Sequence, residues 1–187
     1  MKAVLLDRDG VINRDRSDYV KSWEEFEFLP GALAGLRVLA QAGLGVAVVS
    51  NQSAVGRGLM SARELDLIHQ RMVDAVRRDG GRIDAVLCCL HAPTDGCRCR
   101  KPRPGLLSDA VAYLGTGTEG AVMVGDNVTD LQAAQAARLP AVLVLSGSGS
   151  ETLVRPESAS CAVTFVAQDL LEAARWAASH ERAWPWQ

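Results

Sequence analysis

The chain has 187 residues, 48% of them hydrophobic and 22% charged, and its Lys and Arg nearly balance its Asp and Glu at a net charge of −2. A chain of this length fits one domain around a sizeable core, and its composition is too apolar and too near neutral for a disordered protein. No basic run is present to displace counterions from a nucleic acid, and no apolar run reaches the ~18–20 residues that cross a bilayer.

The first apolar segment, residues 3–6, reads as a short strand and runs at once into Asp7-Arg8-Asp9, which is unlike a secretory signal. Residues 31–41 carry Leu33, Leu36, Leu39 and Ala40 at helical spacing, and Gly43 stops them. The valine-rich run 44–49 has no polar interruption, as expected for a strand buried on both faces. Ser61 and Glu64 form a capping-box pattern, and Leu65, Ile68, Met72, Ala75 and Val76 continue as a helix to Gly80-Gly81. Beyond it the expected elements are strand 83–87, helix 104–114, strand 121–124, helix 130–137, strand 141–145, strand 163–166 and helix 169–178. Trp184-Pro185-Trp186 reads as a packed or frayed end. His69 and His180 read as surface or boundary residues.

Strands alternating with helices imply a parallel sheet covered on both faces. The least regular stretches, 14–28, 52–59, 91–103 and 146–158, are where function is expected, because open parallel sheets bind ligands beyond the carboxyl ends of their strands. Cys88, Cys89, Cys97 and Cys99 cluster in one of these stretches, and an odd cysteine total without an export signal points to a metal site rather than disulfides. Cys161 reads as a small buried hydrophobe.

Three strand ends carry the chemistry. Asp7 and Asp9 follow the first strand, with Gly10 supplying a sharp bend; Ser50 and Asn51 end the second; Gly125-Asp126-Asn127-Val128-Thr129-Asp130 follows a later one. Each Asp-Gly or Gly-Asp pair alone is an ordinary turn signal. Acids and a hydroxyl recurring after successive buried strands instead describe a hard-cation site with room for a phosphate.

The set Asp7-x-Asp9-Gly10, Ser50, Lys101 and Gly125-Asp126-x3-Asp130 resembles the four motifs of the haloacid dehalogenase-like hydrolases. Within them the chain resembles the small heptose-bisphosphate 7-phosphatase and histidinol-phosphatase group, through LLDRDGVIN, VVSNQS with Gly56-Arg57-Gly58 behind it, CLHAPTDGCRCRKPRPG and MVGDNVTDLQAA. The resemblance implies a single Rossmann-like three-layer α/β domain with a mainly parallel sheet, a core over about 1–149, and a C-terminal strand, helix and tail over 150–187. It implies a Mg2+-dependent phosphatase in which Asp7 is the nucleophile and Asp9 the general acid and base, with a raised pKa expected for Asp9. Asp7, the Asp9 backbone carbonyl and Asp126 would hold the Mg2+, and Ser50 and Lys101 would bind the phosphoryl oxygens.

The resemblance also selects Cys89, His91, Cys97 and Cys99 as the ligands of a structural Zn2+, since three thiolates and an imidazole make a closed tetrahedral shell. Strand alternation turns Cys88 away from Cys89, toward the sheet's packing. The zinc would pin the loop that delivers Lys101. The intervals on either side of Ser50 are consumed by the expected loops, helices and strand, so no cap domain is expected.

Substrate contacts implied by the resemblance are Asp15, Arg16, Ser17, Asp18, Asn51, Gln52, Ser53, Arg100 and Asn127, with Arg100 suited to a remote phosphate. Asn127 stands where heptose bisphosphatases can carry a lysine, and the loop Arg14-Asp15-Arg16-Ser17-Asp18 is more charged than the resemblance predicts. The expected substrate is a heptose 1,7-bisphosphate losing its 7-phosphate. The alternatives are a histidinol-phosphate phosphatase and, from a different class, a non-catalytic zinc-stabilised binding module. The chain is expected to be cytoplasmic and monomeric, with no nucleic-acid or membrane partner.

Overall fold

The computed structural model describes residues 1–180, so the expected tail at Trp184-Pro185-Trp186 lies outside the described residues. Its strands are β1 (Ala3–Leu6), β2 (Gly45–Asn51), β3 (Ala85–Cys89), β4 (Ala121–Gly125), β5 (Ala141–Val144) and β6 (Val163–Ala167). They form one sheet in the order β3-β2-β1-β4-β5-β6, and every neighbouring pair is parallel. The expectation of a mainly parallel sheet is met in full. Helices α1 (Ala32–Gln41), α2 (Ser53–Gly56), α3 (Ala62–Arg78), α4 (Gly105–Tyr113), α5 (Val128–Ala136), α6 (Gly149–Val154) and α7 (Leu170–Ser179) supply the connections.

The four inner strands are apolar on both sides because both sides are covered. Val4 and Leu6 of β1, Val46 and Val48 of β2, and Val122 and Val124 of β4 join a core with Leu36 of α1, Met72 of α3 and Ala174 of α7. The alternate residues Leu5, Ala47 and Met123 enter a second core with Leu107 of α4 and Leu131 of α5. Three layers result, with α1, α3 and α7 on one face and α4 and α5 on the other. Gly35 lets α1 approach α7 closely, since a Cβ there would lie 2.8 Å from the Leu170 carbonyl oxygen. The C-terminal strand and helix thus complete the sheet and cover one of its cores.

Boundaries move for local reasons. β3 runs two residues past the expected 83–87. Asp84 is tied to Val46 by its main-chain N–H (2.8 Å) and its carboxylate (2.8 Å) before the ladder starts. Cys88 and Cys89 then extend the ladder opposite Ser50 and Asn51. α5 starts before Asp130 because Asn127 is its cap, accepting from Thr129 N while Asp130 accepts from Asn127 N. α2 and α6 form inside two of the stretches expected to be irregular. Neither interval around Ser50 contains a separate cap domain, and among the described residues no helix is long and apolar enough to cross a membrane.

Position matters more than these details. β1 lies between β2 and β4, so the connections diverge on either side of its carboxyl end. That crevice is the topological switch point at which α/β sheets bind ligands.

Candidate active site

β1 delivers Asp7 to the crevice, where its N–H bonds the Val124 carbonyl of β4 at 3.0 Å. Its Oδ1 accepts from Arg8 N at 2.7 Å and from Lys101 Nζ at 2.9 Å. Lys101 arrives from the loop after β3 and is almost wholly buried; its ammonium also meets Asp130 Oδ1 at 2.7 Å and the Val49 carbonyl at 2.8 Å. Burial alone would depress this lysine, but Asp130 and Asp7 hold it above its ordinary value. Asn51 fixes the Lys101 backbone twice, accepting from its N–H and donating to its carbonyl, each at 3.1 Å.

Carboxylate oxygens of Asp7, Asp126 and Asp130 lie within 4.8 Å of one another, so the turn after β4 and the end of β1 share one cavity. Gly10, at φ 82, permits this approach, because a Cβ there would collide with the Asp126 carboxylate. Ser148 N donates to Asp126 at 2.7 Å from the loop before α6. Burial, with Asp130 and Asp7 nearby, pushes Asp126 up to about 8, and burial likewise pushes Asp7 up to about 7. Three converging acids around one ammonium leave an excess of negative charge, and an all-oxygen cluster of this kind fits a divalent cation.

Asp9 behaves differently from expectation. Arg8 Nη2 grips both its oxygens at 2.9 and 3.0 Å, Asn13 Nδ2 donates at 2.9 Å and Gln52 Nε2 at 2.7 Å. Burial would raise its pKa, yet the Arg8 charge and these hydrogen bonds overcome that and hold it below the usual carboxylate value. The expected upward shift is therefore corrected: Asp9 stands ionised. Its side chain does not join the acidic cluster of Asp7, Asp126 and Asp130.

These groups border a cleft of about 550 Å3. Ser50, whose hydroxyl accepts from Gln52 Nε2 at 2.9 Å, lines it with Asn51, Gln52, Ser53, Arg100 and Asn127. Asp15, Arg16 and Ser17 form its outer wall, and burial raises the Asp15 pKa. Asp18 is placed elsewhere. Its carboxylate is taken by Lys21 at 2.8 Å and Arg16 at 3.0 Å, and it does not line the cleft. Hydrogen bonds from Lys21 and Arg16 bring it down to about 2.

Cys89, His91, Cys97 and Cys99 converge as a second cluster. Cys89 Sγ lies 3.5 Å from Cys97 Sγ and 3.6 Å from His91 Nδ1, while Cys99 Sγ is 3.3 Å from that nitrogen. A tetrahedral metal with bonds of about 2.3 Å to sulfur and about 2.0 Å to nitrogen sets donors roughly 3.4–3.8 Å apart, so the donor set fits one ion. Cys88 faces the opposite way, near His69, as strand alternation predicts.

A family model described as HAD-hydrolase-like matches residues 98–173. The D-glycero-beta-D-manno-heptose-1,7-bisphosphate 7-phosphatase of Bordetella bronchiseptica is 41% identical over 179 residues, covering 93% of this chain and 100% of the relative. The chain belongs to the haloacid dehalogenase-like hydrolases. A D-glycero-alpha-D-manno-heptose-1,7-bisphosphate 7-phosphatase of Mycobacterium tuberculosis is 43% identical over 70% of each chain. The crystal structure of the B. bronchiseptica D,D-heptose 1,7-bisphosphate phosphatase, complexed with magnesium and phosphate, superposes with a TM-score of 0.88 and 40% identity, over 94% of this chain and 97% of that one.

Several residues of this haloacid dehalogenase-like site go beyond the motifs. Asp130 was legible as part of the last motif, but its contact with Lys101 depends on how two distant loops meet. Asn13 and Ser148 carry no pattern of their own. Arg8 sits between the two motif acids yet is 1% exposed, with its guanidinium on Asp9 and on His69 of α3. His69 is thus not a surface or boundary residue. Its spacing from Leu65 and Met72 already set it on the apolar stripe of α3, and that signal was available.

Proposed function

We propose that this protein is a phosphatase that hydrolyses the 7-phosphate of D-glycero-D-manno-heptose 1,7-bisphosphate through an aspartyl-phosphate intermediate. The observation that carries the reading is the meeting of Asp7, Asp126 and Asp130 with Lys101 at the β1 switch point. The activities of relatives at 41 and 43% identity support the substrate.

Both donors to Asp7 fall on Oδ1, which leaves Oδ2 to attack phosphorus. The ester P–O bond breaks, and Asp9 supplies the proton that the leaving sugar oxygen needs. Asp9 then removes a proton from water, which attacks the phosphoryl group and releases Asp7 and inorganic phosphate. Since Arg8, Asn13 and Gln52 keep Asp9 ionised beforehand, its acid role draws on the negative charge of the bound ester, which raises a neighbouring carboxyl. Lys101 and Ser50 bind phosphoryl oxygens and stabilise charge in the transition state. Asp7, Asp126, Asp130 and the Asp9 main-chain carbonyl would hold Mg2+, which supplies neutralisation between an anionic nucleophile and an anionic ester.

Cys89, His91, Cys97 and Cys99 would hold a structural Zn2+, their four donors leaving no open position. Arg100 would take the remote phosphate, with Asp15, Arg16, Ser17, Asn51, Gln52, Ser53 and Asn127 contacting the sugar from the cleft wall. The deciding measurement is kcat/KM for both anomers of the bisphosphate beside histidinol phosphate. A bisphosphate anomer is expected to be preferred; a preference for histidinol phosphate overturns the substrate assignment.

A further inference from the structure

Behind Asp9 lies a buried polar chain whose far end, at His69, the chemistry above does not use. Arg8 Nη2 holds both Asp9 oxygens, while Arg8 Nη1 points away from the cleft to His69 Nε2 at 3.1 Å. A guanidinium has no acceptor, so the histidine nitrogen must accept, and the ring proton goes to Nδ1. Cys88 Sγ on β3 lies beside the ring, 3.9 Å from Nε2 and 4.0 Å from Nδ1. Arg8 Nε finds no partner among the described residues, so the orientation of this buried cation rests on Asp9 at one end and His69 at the other. His69 in turn is fixed by α3, whose Leu65, Ile68 and Met72 pack into the core around it.

We propose that His69 is a positioning residue for phosphoryl transfer: it locks the Arg8 guanidinium, which holds the Asp9 carboxylate where the leaving oxygen is protonated. The chemistry of the pair agrees. Burial and the Arg8 charge depress the His69 pKa to about 3, so the ring stays neutral and keeps its lone pair for Arg8. Without an acceptor there, one end of a buried guanidinium is unpaired, and the cation must tilt toward another partner. Asp9 moves with it. The inference rests on the general-acid reading of Asp9 given above.

The test exploits leaving groups. Protonation matters for a sugar alkoxide and hardly at all for 4-nitrophenolate, whereas a general loss of structure slows both. kcat/KM is measured for heptose 1,7-bisphosphate and 4-nitrophenyl phosphate, with His69→Leu, His69→Gln and Asp9→Asn beside the wild type. His69→Leu should lower the sugar-phosphate value by about tenfold or more, a part of the general-acid contribution, and the nitrophenyl value far less. His69→Gln, whose amide oxygen can replace Nε2 as acceptor, should restore most of the loss. Equal losses on both substrates, no loss on either, or failure of Gln to rescue would overturn the role of His69. Equal losses for Asp9→Asn would instead remove the general-acid reading, and the inference with it.

Discussion

Lys101 meets oxygens of Asp7, Asp130 and Val49 at a depth where a lone ammonium would be costly, so these residues stand or fall together. Asp7→Asn keeps the shape and an oxygen for Lys101 but removes the proposed nucleophile. Turnover is expected to fall roughly a thousandfold or more, with an unchanged circular dichroism spectrum; full activity in this variant would exclude the assigned role. The motif acids were legible because each ends a buried strand. The partners of Asp9 were not, because Arg8 and Asn13 meet it only through the curl of the turn after β1, and Gln52 arrives from the turn after β2. His69 carries a second consequence. Its folded pKa, about 3, lies below the unfolded 6.5, so the unfolded chain binds more protons in between and the folded state loses stability as pH falls through that window. The contribution is at most about 1.4 kcal/mol per pH unit. Urea midpoints at pH 7 and 5 should drop more for the wild type than for His69→Gln, which has no group to charge; parallel drops would contradict a buried neutral ring.

At the level of elements, the strands were the most readable parts, since a strand buried on both faces is an uninterrupted apolar run. α2 and α6 are too short to show a helical period, and β3 was misplaced because the two cysteines that end it serve at once as ladder residues and as neighbours of two different sites. The loop after β3 carries the converging Cys/His cluster between Cys89 and Cys99 and is tied down at its end by Asn51 and buried Lys101. With the proposed Zn2+ in that cluster, chelation followed by restoring Mg2+ should raise amide exchange across residues 90–103 and lower kcat roughly tenfold or more, because Lys101 loses its placement. An unchanged exchange pattern and full activity would show that the loop holds itself without an ion.

Over the whole molecule, alternation of strand and helix announced the layers, and the motif order announced which strand ends would meet. The order β3-β2-β1-β4-β5-β6 then brings residues as far apart as Asp7, Lys101 and Asp126 into one crevice. What composition and spacing do not carry is the shape of the cleft mouth, where Asp15–Ser17 border the site while Asp18 turns back on Lys21. Among the described residues no cap domain covers that mouth, and loop side chains border it. Such a rim has an evolutionary corollary: a descendant could change its ester by exchanging a few surface-borne groups, leaving the interior phosphoryl-transfer apparatus as it stands and recruiting no additional domain.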